Sequence, residues 1–345
     1  MTPARVLSPG AALRRFFFGM RPEEAIAVLF LLPTTWITGV AHYFAPESGA
    51  IGPKFAGGVL RIGVALVCGA VLVLAIRRKP QPGSALFIAR EMLPFLLCVL
   101  IYTNLHDTIG FVNPNDIHDH LLAIDVWLFG VEPCLWVEQF YSRGRTEVFQ
   151  LFYMSFALLA PAVPLVVLLQ GRLVDFRRAA LSIIVCFYLG YGLYLLFPAA
   201  PPRIVLASQF TRNLGGDLIR DPARRSTPTA PDGSSSSGLV SLAAESTLAL
   251  LPTDSRAAFP SLHAAVSLLA LGLAWRFTRR LFFLLLPLSL GLWASTIYLR
   301  HHFVVDLIAG FALAPLAYLL TPRLEAWWAR ERLESERKAG SEEPA

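Results

Sequence analysis

Lysine is almost absent from this sequence. Of its thirty basic residues only Lys54, Lys79 and Lys338 are lysine, and the bias toward arginine points to a GC-rich, bacterial genome. Cysteine is scarce too: Cys68, Cys98, Cys134 and Cys186 show no metal-ligand spacing, and three of them fall inside apolar blocks. A disulfide framework is therefore unsupported. No internal repeat is visible, which argues against a transporter built from inverted repeats. A signal peptide would end in a small-residue cleavage site after a short apolar core. The run behind Arg5, Arg14, Arg15 and Arg21 is too long for a signal peptide and reads as a retained first span.

What the chain does contain is apolar. It has 345 residues, 55% of them hydrophobic, and a mean hydropathy of +0.56. A hydrocarbon core roughly 30 Å thick needs about 20 apolar residues of helix, and at least seven stretches qualify. The predicted fold class is all-α, a polytopic membrane bundle with helices near 24–45, 57–76, 85–106, 147–170, 179–198, 260–277, 281–299 and 303–320. Residues 1–84 would form two N-terminal spans, 85–321 a catalytic core and 322–345 a cytoplasmic tail that frays as an amphipathic helix. The third span is the weakest, because Arg90 and Glu91 lie inside it.

The formal charge of +6 comes from arginines at the ends of apolar blocks, so it marks topology, not nucleic-acid binding. Basic clusters at 77–79, 172–178 and 276–280 alternate with charge-poor loops, which predicts both termini in the cytoplasm. Two segments would lie on the opposite face. Residues 107–146 mix apolar residues with Asp, His and Glu, and carry Trp127, Trp136 and Tyr141, suiting short interfacial helices. Residues 204–256, rich in Ser, Gly, Pro and Arg, cannot bury a core and read as a flexible loop.

Three polar clusters would converge at that face. In "YLRHHFVVDLIAG", His302 and Asp306 are four apart, on one side of a helix beginning near His302. The carboxylate can hold the proton of one imidazole nitrogen and leave the other as nucleophile or base. Ionisable groups at spans are costly and usually functional. In "AFPSLHAA", Pro260 suits a first helical turn. The outward amides of Ser261, Leu262 and His263 would make an anion site there. His263 could protonate a leaving oxygen. In "FPAAPPR", Arg203 presents a planar fork that matches phosphate, as Arg300 could; the alternative for both is snorkelling to headgroups. His301, Tyr298, Asp116 and His120 are candidates for contacts with an acceptor or headgroup, with a plain interfacial role as the alternative for His301 and the "NDIHDH" cluster. The reaction type is in-line attack by a histidine on a phosphoryl group, with a second histidine giving a proton to the departing oxygen. Arginines would carry the charge, and no metal or other cofactor is expected.

The spacing Pro260-Ser261-x-His263 and His302-x-x-x-Asp306 resembles the type 2 phosphatidic acid phosphatase superfamily. The likeness is closest to its inositolphosphotransferase branch, which includes inositol phosphorylceramide synthase. It covers roughly residues 90–320, including "DVWLFGVEP". The resemblance implies a six-helix core, a phosphohistidine on His302, His263 as acid and base, and Asp306 orienting His302. The phosphatase branch has Gly where Leu262 stands, Ser-Arg where Ser295-Thr296 stands, and Lys at the position of Leu196. These differences favour the transferase branch. The expectation is an enzyme that moves a phosphoryl or phospho-headgroup between lipids of the bilayer, on the extracytoplasmic face. The alternatives are a lipid phosphate phosphatase and, further off, a lipid transporter.

Overall fold

A computed structural model describes residues 9–43, 58–214 and 256–341. Among the described residues there are thirteen α-helices, and no strand beyond an isolated parallel bridge between Ala199 and Ala257. The helices are α1 (Pro9–Gly19), α2 (Pro22–Tyr43), α3 (Gly58–Arg78), α4 (Ala85–Val112), α5 (His118–Phe129), α6 (Pro133–Val137), α7 (Arg143–Met154), α8 (Phe156–Leu169), α9 (Leu173–Leu196), α10 (Pro202–Val205), α11 (Leu262–Phe277), α12 (Arg279–Tyr298) and α13 (Val304–Ser341). Seven segments among the described residues are long and apolar enough to cross a bilayer: α2, α3, α4, the α7–α8 run, α9, α12 and α13. The protein is an integral, multi-pass α-helical membrane protein.

Each of the eight expected helices has a counterpart, with three differences. First, α11 holds 16 residues, about 24 Å at 1.5 Å per residue, short of the ~30 Å hydrocarbon core. Second, α13 runs unbroken to Ser341, where a span ending near 320 and a separate tail were expected. The tail is rich in Ala, Leu, Arg and Glu, which are strong helix formers, and Arg332 pairs with Glu336 one turn on. Third, α5 and the segment Pro133–Phe140 meet at a 65° bend and together are apolar enough to be a broken span or re-entrant loop. The expected flexible loop falls mostly on residues 215–255, outside the described residues. Its described start is ordered, with Leu206 and Phe210 buried.

The chain divides into two compact units. One comprises residues 1–46, 56–104 and 318–345, so the sequence expected as the start of a core at 85 groups with the N-terminal spans. There the Arg90–Glu91 puzzle resolves. Arg90 donates to Glu24 at 2.6 and 2.9 Å, and Arg21 donates to Glu91 at 2.6 and 2.9 Å. Two charges that would be costly against lipid are each neutralised by an opposite charge at or just before the start of α2. In the same unit Arg14 pairs with Glu331, and the Trp328 indole donates to the Met20 carbonyl.

Of the described residues, the second unit comprises 105–214 and 256–317. At its centre is α9, which buries Phe176, Ile183, Ile184 and Tyr191. α11 packs against α8, α9 and α12, and α12 packs against α7. Lipid tails are as apolar as leucine, so such packing rests on close approach between small residues, not on escape from water. α11 supplies buried Ala264, Ala265, Ala270 and Ala274. At Gly190 of α9, an added Cβ would stand 2.5 Å from the Leu262 side chain. At Gly310 of α13, it would stand 2.3 Å from the Ser261 carbonyl oxygen and 3.0 Å from the Ala264 Cβ. Backbone cannot swing aside as a side chain can. Gly310→Ala is expected to cost about 1–3 kcal/mol by overpacking and to part the starts of α11 and α13. A denaturation midpoint unchanged from wild type would contradict this contact.

Candidate active site

The close approach at Gly310 matters because the starts of α11 and α13 carry the two motifs. Ser261 is the N-cap of α11: its hydroxyl accepts from the Ala264 amide at 3.3 Å. Its own amide donates to the Asp306 carbonyl at 2.9 Å. This bond ties the two helix starts together and takes the Ser261 amide out of the expected anion site. The Leu262 and His263 amides belong to the first turn, where a helix leaves amides without an intrahelical partner. The Leu262 side chain fills the notch at Gly190.

His302 lies in the corner between α12 and α13. Asp306 Oδ2 stands 3.3 Å from His302 Nδ1 and accepts the Phe303 amide at 2.9 Å. A carboxylate beside Nδ1 makes it the proton-bearing nitrogen and leaves the Nε2 lone pair free. That Nε2 is 3.2 Å from His263 Nδ1. Two imidazoles separated by thirty-nine positions thus meet, with one carboxylate behind them. His263 is gripped by aromatic rings, Phe156 at 4.4 Å and Tyr153 at 4.8 Å between centroids.

Arg203, on α10, joins the group from the side. Its amide donates to the Arg300 carbonyl at 3.0 Å, and its Nη1 is 2.6 Å from His301 Nδ1. Arginine can only donate, so His301 accepts at Nδ1. His301 also stacks on Tyr153, with centroids 4.4 Å apart. Burial, and then the Arg203 charge, push the His301 pKa well below its ordinary 6.5. For His302, burial lowers the pKa to about 3, a bond to the Ala258 backbone opposes the shift, and Arg203 adds to it. His302 is thus held neutral, as a nucleophile must be. The sign for stability follows. The unfolded chain takes up a proton at His302 below about 6.5, while the fold accepts it only near 3. Acid therefore favours unfolding, and this contribution is lost as pH falls from 6.5 toward 3. His302→Gln should remove that share of the acid sensitivity, read as a smaller drop in thermal midpoint between pH 7 and pH 4 than wild type shows.

Four other sequence candidates are placed elsewhere. Arg300 adopts a left-handed backbone, φ 62°, and its guanidinium turns into a buried pocket. There it donates to the Tyr141 hydroxyl at 3.0 Å, the Arg212 carbonyl at 2.8 Å and Glu138 at 3.4 Å, and lies 3.7 Å from the Phe210 ring centroid. Its Nε and Nη2 donors are thus spent inside this pocket. Tyr298 is sandwiched between Tyr141 and Phe149, and its hydroxyl bonds to Ser142 and Thr146. Asp116 accepts from Arg256 at 2.8 Å, and His120 is exposed. Among the described residues no group of three or more His, Cys, Asp or Glu is placed to hold a metal ion.

Sequence reasoning passed over Tyr153, Phe156, Asp125 and Glu138. The aromatic residues sit in an apolar helix and carry no distinguishing signal. The carboxylates do carry one: a lone acid within "LLAIDVWLF" is costly unless paired. Asp125 is fully buried on α5 and accepts the Val304 and Val305 amides at 2.7 and 2.9 Å, capping α13.

No curated protein and no solved structure matches the chain. A model described as "PAP2 superfamily" matches residues 120–320, more than half of the chain and all of the residues just described around His263 and His302. The chain belongs to the PAP2 superfamily and is a membrane enzyme of the lipid phosphatase and phosphotransferase type.

Proposed function

We propose that this protein is a lipid phosphotransferase of the inositolphosphotransferase type, working through a phosphohistidine on His302. The observation that carries the reading is the chain of contacts from Asp306 through His302 to His263. In the first half-reaction Nε2 of His302 attacks phosphorus. The bond to the donor's alcohol oxygen breaks, and His263 Nδ1 gives that oxygen its proton. In the second half, His263 takes the proton of an acceptor hydroxyl. The acceptor oxygen attacks phosphorus, the N–P bond breaks and His302 is restored. Phosphorus enters between the two nitrogens, so their 3.2 Å contact opens during turnover. Arg203 and the Leu262 and His263 amides offer donors to the non-bridging oxygens. The site would face the extracytoplasmic side, as the arginine distribution predicts, and no metal or other cofactor takes part.

A lipid phosphatase would share every one of these residues, with water as acceptor. The Leu262 side chain in the Gly190 notch supports the transferase reading, since the phosphatase branch carries glycine there. The discriminating experiment gives the purified protein a radiolabelled phospholipid donor with and without a lipid alcohol. Label should appear in a new lipid and rise with the alcohol; label released only as free phosphate, or as the free phospho-headgroup, would make it a hydrolase. Chelators should leave the rate unchanged, and a loss restored by added divalent metal would contradict this mechanism. Arg203→Lys keeps the charge but loses the fork. It should lower kcat/KM by about 10–100-fold, corresponding to 1.4–2.7 kcal/mol; an unchanged value would remove Arg203 from the site.

A further inference from the structure

The corner from residue 298 to 305, which carries His302, is held by Arg203 and the backbone at Ala258 and Thr296, and by a further set of contacts from another part of the chain. The bent pair His118–Phe129 and Pro133–Phe140, with Tyr141 just after it, reaches it at four points. Asp125 accepts the Val304 and Val305 amides. The Cys134 thiol donates to the His302 carbonyl at 3.5 Å. Glu138 pairs with Arg300, and the Tyr141 hydroxyl donates to the Tyr298 carbonyl. Glu138 also accepts the Thr211 and Arg212 amides, which binds the strand of chain after α10 to the same point. The contacts are spread along the corner, at 298, 300, 302, 304 and 305.

We infer that Asp125 and Glu138 are positioning residues for the nucleophile: two buried carboxylates that clamp the corner on either side of His302 and fix the direction of its Nε2. Neither touches the reacting atoms. Asp125 acts through the first amides of α13, the helix that also carries Asp306. Its negative charge at the positive end of that helix holds the start of α13 in place. Glu138 acts through Arg300, whose left-handed backbone is unfavourable for a residue with a side chain and is held by the pocket around its guanidinium. In-line displacement is sensitive to aim, and a misplacement of about 1 Å from a distant change can cost about 10²-fold in rate. An interaction that only improves aim acts in the transition state, so its loss lowers kcat and leaves KM.

This inference rests on the histidine mechanism proposed above. The test uses the full chain in detergent micelles with radiolabelled phosphatidylinositol or phosphatidate. Asp125→Asn keeps one acceptor oxygen and Asp125→Ala keeps none. The expected result is a graded fall in kcat, about tenfold for Asn and about 10²-fold for Ala. KM should be unchanged, and the single-turnover rate of phosphoenzyme formation should fall by the same factors. Glu138→Gln retains an oxygen for the two amides but loses the charge facing Arg300, and should show the same pattern. If the Asp125 variants do not fold, Glu138→Gln decides by the same readout. Wild-type kcat per folded molecule, or a loss confined to KM, would overturn the clamp while leaving the histidine mechanism standing. Absence of labelling in the wild-type protein with both donors would overturn the mechanism, and the clamp with it.

Discussion

Replacing His302 with glutamine should abolish turnover, by more than about 10⁴-fold, corresponding to over 5.5 kcal/mol of barrier. Glutamine fills similar space and can still donate toward Asp306, but it offers phosphorus no nucleophilic nitrogen. Folding should survive, because the corner is held through backbone groups and Arg300, not through the imidazole. The measurement is kcat on a labelled phospholipid donor, beside a thermal midpoint in the same detergent. A correctly folded variant with more than about 1% of wild-type kcat would show that phosphorus is attacked by something else.

The second large effect is expected at His263. A positioned acid or base contributes about 10²–10⁴-fold, so His263→Ala should slow turnover by that amount without stopping it. The loss should depend on the leaving group. A donor whose departing oxygen is weakly basic, such as p-nitrophenyl phosphate, does not need the proton. The first half-reaction should then recover most of its rate, while the second, which needs a base for the acceptor hydroxyl, stays slow. With such a donor the His263 variant should accumulate phosphoenzyme. An equal loss for activated and ordinary donors would assign His263 a structural role, with Phe156 and Tyr153 as its packing partners.

Much of this was legible in the sequence because the signals were local. Apolar runs gave the spans. Pro260 and Ser261 marked the start of a helix, and the four-residue spacing marked His302 and Asp306 as a pair, although α13 begins at Val304 and His302 lies in the corner before it. The convergence of His263 and His302 followed from counting helices, which predicted that one segment would start and the next end on the same face. What the sequence did not give was the partner of each charge. Arg300 stands beside two histidines in the chain, yet a left-handed turn sends its guanidinium to Glu138. Arg90 and Glu91 read as a weakness in a span because Arg21 and Glu24, about seventy positions away, were not visible as their partners. The Asp125 cap joins residues 179 positions apart, and periodicity cannot report a contact of that range. Nor can it report close approach: only the geometry explains why Gly190 and Gly310 face Leu262 and Ser261.

The central claim is that His302 carries the phosphoryl group between donor and acceptor. Rapid acid-free quench of the wild-type protein after mixing with a radiolabelled donor tests it most directly. The wild-type protein should carry a label that survives alkali, is lost in acid, and passes to a lipid alcohol when one is added. The label should map to His302 and be missing from His302→Gln. Turnover at the wild-type rate with no labelled protein on the millisecond scale, or with label that maps to another residue, would contradict it.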